Sequence, residues 1–136
     1  MLHVRSLTSE DYSEYLVKWW NDWRWTPPPR EFLPYNGTGG FMICDEDYPV
    51  VAGFLYTTNS SAAWMEFIVS NMEYRHKENR KEAIKLLIMS LEELAKINGK
   101  KYIYSSLKNE SLINAYMDCG FVKGSSNTQE MIKTCQ

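Results

Sequence analysis

Residues 79–98 constrain this chain more than any other segment. Ile84, Leu87, Ile88, Leu91, Leu94 and Ala95 fall along one face at helical spacing, and Lys85, Glu92, Glu93 and Lys96 occupy the other. Asn98-Gly99 marks the stop. A helix with such a stripe must bury it, and the chain supplies a cover on either side. AAWMEFIV (62–69) and KYIYSSL (101–107) both read as strands, and alternation along the first puts Trp64, Glu66 and Ile68 on one face and Ala63, Met65, Phe67 and Val69 on the other. This strand–helix–strand unit implies a mixed sheet with helices on its faces.

The remaining segments extend that sheet. LHVRSLT (2–8) reads as a short strand. Ser9 is a candidate cap for a helix running to about Arg24, where Pro27-Pro28-Pro29 blocks continuation. FMICD (41–45) and VVAGFLYTT (50–58) read as a hairpin joined by an acidic turn. Leu112, Ala115, Tyr116 and Cys119 recur at helical spacing before Gly120. FVKG and TQEMIKT (128–134) read as two closing strands. The expectation is an α/β (α+β) fold of one domain, residues 1–136. Its central sheet is mixed, mostly antiparallel and of six to seven strands, with helices on both faces.

Charge and composition exclude several function classes. The net charge of −2 argues against a general nucleic-acid binder. Residues 1–60 hold four bases against eight acids, whereas residues 61–136 hold eleven bases against nine. The basic excess gathers at Arg75-His76-Lys77-Glu78-Asn79-Arg80-Lys81. It reads either as an anion-binding patch or as a solvated helix start. No apolar run reaches the ~18–20 residues of a membrane helix. Cys44, Cys119 and Cys135 are few and far apart, so neither a disulfide framework nor a zinc site is indicated, and a reducing cytoplasm fits. His3 and His76 lack partners at ligand spacing, so no metal is expected.

Asn109, then Tyr116-Met117-Asp118-Cys119-Gly120-Phe121, resembles the Asn…Tyr-x-x-x-Gly-Phe signature of the GNAT superfamily of acyl-CoA-dependent N-acyltransferases. The element order resembles that family along essentially the whole chain. The resemblance implies acetyl-CoA as co-substrate and a small-molecule or peptide amine as acceptor; a homodimer is compatible with it. By position, Tyr116 matches the general acid beside the CoA sulfur, and Asn109 matches a CoA-contacting asparagine that also serves as a helix cap. Glu66 is the candidate base, because family bases often lie on this strand; the alternative is a paired structural glutamate. The main chain of Phe67 and Val69 resembles the stretch that hydrogen-bonds pantetheine.

One segment departs from the family pattern. The family's Arg/Gln-x-x-Gly-x-Gly/Ala loop brings backbone amides close to the pyrophosphate at a helix N-terminus. Here no glycine occurs between Gly53 and Gly99. Arg75, Lys77, Arg80, Lys81 and Ala83 are the candidates for that role, along Arg80-Lys81-Glu82-Ala83-Ile84-Lys85 or in the register from Arg75 to Arg80. The rival reading is a GNAT-like binding module that no longer holds CoA and is catalytically inactive. Trp19, Trp20, Trp23 and Trp25 read either as core against the sheet or as the wall of a pocket.

Overall fold

Alternating side chains let each strand present one face to each of two cores, and the sheet is sandwiched accordingly. The computed structural model describes residues 1–135. Five strands form one sheet in the order β1-β2-β3-β4-β5: Leu2–Ser6, Gly40–Asp45, Tyr48–Tyr56, Ala62–Ser70 and Tyr102–Tyr104. The first four pair antiparallel, and β5 runs parallel to β4. The helices are α1 (Val17–Asp22, entered through a π turn at Tyr12–Leu16), α2 (Lys77–Ile97) and α3 (Glu110–Asp118).

One face of the sheet carries α2 and α3. Leu87, Ile88, Leu91 and Tyr116 pack there against Ile43, Val51, Met65 and Ile68. The other face carries α1 and its π turn, whose Leu16, Trp19 and Trp20 cover Met42, Ala52, Phe54 and Val69. Trp19 and Trp20 are thus core, as two of the four tryptophans in that stripe. Ser9 does not cap the helix; its hydroxyl donates to Glu10. Asp11 takes the structural role instead. It accepts a two-pronged bond from Arg5 at 2.8 and 2.9 Å and a bond from the Thr8 amide at 2.7 Å, tying β1 to the helix entry.

Two expectations need correction. The sheet has five strands, not six or seven, because FVKG and residues 128–134 form no regular structure. Alternation alone does not make a strand; a neighbour must supply the ladder of hydrogen bonds. In β4, Trp64, Glu66 and Ile68 do not share a face. Phe54 pairs with Glu66 and Ala52 with Val69, so Phe67 and Ile68 together stand opposite Gly53. Phe67 occupies the left-handed region at φ 58°. This bulge reverses the alternation and sends Ile68 to the α2 side beside Met65.

Gly40 shows how closely the hairpin strands approach. A Cβ there would lie 1.9 Å from the Gly53 carbonyl oxygen, which is main chain and cannot swing aside. Gly40→Ala is expected to destabilise the fold by about 1–3 kcal/mol, measured by urea unfolding at fixed pH.

Candidate functional site

A split between two neighbouring strands creates the site. The parallel ladder between β4 and β5 covers only Ala62, Ala63 and Trp64, opposite Tyr102, Ile103 and Tyr104. Past that point the chain leaves β5, and the bulge at Phe67 turns β4 the other way. From Glu66 to Ser70, β4 therefore keeps a strand neighbour on its β3 side alone.

Two side chains bridge the mouth of this split. The Ser105 hydroxyl lies 2.5 Å from the Met65 carbonyl and 3.0 Å from the Tyr116 hydroxyl. The next residue, Ser106, donates its amide to Glu66 Oε1 at 2.8 Å. Ser105 has one proton to give. Given to Met65, it leaves the serine oxygen free to accept from Tyr116. Given to Tyr116, it supports negative charge on the phenol oxygen. Consecutive residues thus anchor the phenol and the carboxylate. Neither serine stood out in the sequence; a Ser-Ser pair at a strand end is the only local signal they give.

Electrostatics separates the two groups. Burial pushes the Glu66 carboxyl up to about 7; the Ser106 amide opposes the rise and the charge of Glu130 adds to it. Burial also holds the Tyr116 phenol well above its ordinary range, with the Ser105 hydrogen bond opposing and Glu66 reinforcing. Tyr56 is pushed up to about 12, by burial first and then by Glu66. Near neutrality the site pairs a half-ionised carboxylate with a protonated phenol.

Further along β4, a groove of about 780 Å³ runs between α2 and α3, past Ile68 and Ser70, to Trp23 and Trp25. Lys77, Arg80, Lys81 and Asn109 line it, as do Glu78 and Glu82. His76 caps α2 by accepting from the Asn79 amide through Nδ1 at 3.4 Å. Asn109 caps α3 by accepting from the Leu112 amide at 3.0 Å. Lys85 reaches Asp118 at 3.4 Å, joining the two helices.

Not every candidate is available to the groove. Arg80 donates to the main-chain carbonyls of Asn71, Met72 and Tyr74, fixing the turn that leads into α2, while its Nε is buried without a partner among the described residues. Ala83 is buried in the core face of α2, and Arg75 is exposed outside the groove. The side chains of Phe67 and Val69 pack on the α1 side, so only their main chain is available to the split. Among the described residues no group of three or more His, Cys, Asp or Glu is gathered to hold a metal. No helix is long and apolar enough to cross a membrane among those residues.

No family model matches the chain, and no curated protein matches it in sequence. Solved structures do match in shape. A protein from Thermus thermophilus superposes with a TM-score of 0.68 at 14% identity, covering 98% of this chain and 99% of that one. Glucosamine-6-phosphate N-acetyltransferase from Arabidopsis thaliana gives 0.66 at 15%, covering 98% and 99%. An acetyltransferase from Trypanosoma brucei gives 0.63 at 18%, covering 97% and 100%. The fold is that of acetyltransferases of known structure, in line with the GNAT resemblance of the sequence.

Proposed function

We propose that this chain is an acyl-CoA-dependent N-acyltransferase that moves an acetyl group from acetyl-CoA to a primary amine by direct attack. One observation carries the reading: Tyr116 and Glu66 are held by adjacent residues at the mouth of a strand split, and a cation-lined groove borders the same strand at Ile68 and Ser70.

The groove fits the anionic part of the co-substrate. Lys77 and Lys81 are exposed there and pair with no acid among the described residues. The first turn of α2 adds main-chain N–H groups, which favour an anion. Glu78 and Glu82 border the groove but are exposed, and neither bonds to these lysines or to the first-turn amides. The main chain of Phe67 and Val69, which has no strand neighbour on the β5 side, is the candidate partner of a pantetheine arm, and Asn109 lines the groove at the start of α3.

The roles follow from the proton affinities. An alkylammonium with a pKa of ~10.4 must lose a proton before it attacks. Glu66 at about 7 receives that proton, directly or through a water. The amine nitrogen then bonds to the thioester carbon. As the C–S bond breaks, Tyr116 gives its proton to the departing sulfur, and Ser105 supports the phenolate until it takes up the proton that the attacking nitrogen sheds as the amide forms; the proton on Glu66 passes to solvent. The products are an amide and free CoA.

The rival reading, a GNAT-like scaffold without CoA, rests on the absence of glycine between Gly53 and Gly99. Calorimetric titration with acetyl-CoA separates the two. The expected result is saturable binding, weakened about tenfold when Lys77 and Lys81 are both replaced by Ala, and less so at high salt. Absence of heat and of a thermal shift at millimolar ligand would leave only the scaffold.

A further inference from the structure

Trp23 and Trp25 continue the stripe that begins with Trp19 and Trp20, yet they do different work. Trp19 and Trp20 are 2% and 1% exposed, whereas Trp25 is 42% exposed. An indole left in water normally has freedom to move, and this one has little. Its amide donates to the Trp20 carbonyl at 2.9 Å. Arg24 before it is in the left-handed region at φ 62°, which turns the chain out of the helix. Pro27-Pro28-Pro29 follow, and Tyr12 pins that segment by donating to the Pro28 carbonyl at 2.8 Å. Behind Trp25 lies Trp23, its ring 6.2 Å away and 27° from parallel. Trp23 is fixed in turn, since its indole N–H donates to the Ser70 carbonyl at 2.8 Å.

Both indoles border the groove that holds Lys77 and Lys81. They stand at its far end: Ser70 is four residues along β4 from Glu66, ~13 Å at about 3.3 Å per residue. A rigid aromatic platform beside free cations matches a ligand that carries a flat heteroaromatic base next to phosphates. Stacking of this kind needs no hydrogen-bond code, because every base has a π face. An aromatic core residue does not account for the pair, because a core position would not leave the outer ring exposed.

We infer that Trp25, backed by Trp23, is the stacking platform for the purine of a nucleotide whose phosphates lie against Lys77 and Lys81. The identity of that nucleotide as CoA rests on the function proposed above; the platform itself does not. Trp25 binds and orients, and it takes no part in acyl transfer.

The test uses the full chain and three probes: CoA, adenosine 3′,5′-bisphosphate and 4′-phosphopantetheine. Both adenine-containing probes are expected to quench the indole fluorescence of the wild type. Trp25→Ala is expected to weaken each of them about tenfold, as one base–aromatic stack implies, and to leave 4′-phosphopantetheine within about twofold. Trp25→Phe keeps most of the affinity. Thermal unfolding of each variant establishes that it folds. An equal loss for all three probes, or no loss for any, overturns the inference and leaves CoA binding standing. Wild-type binding of the bisphosphate without CoA supports the platform and defeats the transferase. Binding of neither defeats both.

Discussion

Tyr116→Phe is expected to lower kcat by about 10²–10³-fold with little change in KM. The hydroxyl is the only group removed, and general acid catalysis by one positioned side chain is worth about 10²–10⁴-fold. The ring of Tyr116 packs 4.7 Å from Phe121 and is 2% exposed, so Phe fills the same space. Ser105 keeps its bond to the Met65 carbonyl, leaving no buried donor stranded. Steady-state kinetics with acetyl-CoA and a set of amines supplies the measurement. An unchanged kcat would remove Tyr116 from the reaction. Because burial holds the phenol far above neutrality, its ionisation contributes no limb to the rate profile at ordinary pH.

Glu66→Gln is expected to lower kcat/KM by about 10²-fold at pH 8 and to abolish a pH limb. In the wild type, kcat/KM is expected to rise as pH passes through about 7, where Glu66 loses its proton and, on the function proposed, becomes the base. Stability moves the other way. The ordinary value for a glutamate here is 4.5, so between there and about 7 the folded chain binds more protons than the unfolded chain. Stability therefore falls as pH rises through that window and levels off above it. Gln still accepts from the Ser106 amide and carries no charge to desolvate. The variant is thus expected to be more stable than the wild type at about pH 8, by on the order of 1 kcal/mol, and equal to it at about pH 4. Urea melts at the two pH values measure this. A variant less stable at the higher pH would mean that Glu66 is a paired structural residue.

Much of the frame was legible because its signals are local. The stripe from Ile84 to Ala95 announces α2, which the structure begins at Lys77 rather than residue 79. Asn109 caps α3, and Gly120 follows its end in the left-handed region at φ 97°. Signals that need a distant partner were not legible. Residues 128–134 alternate like a strand but pair with nothing. The bulge at Phe67 depends on β3, and without it the faces of β4 were assigned one residue out of step beyond Glu66. The clamp formed by Ser105 and Ser106 exists only because the β4–β5 ladder stops at Trp64. Arg80 looked like an anion ligand, yet its Nη2 is committed to the turn at Asn71–Tyr74.

A glycine-rich turn must surrender backbone freedom when it closes around a phosphate, on the order of 1–2 kcal/mol for each residue fixed. At the start of α2 that entropy is already spent in folding: Lys77 is helical, His76 caps it, and Arg80 staples the turn before it. The entrance is preorganised, so an arriving anion meets a surface with little left to freeze.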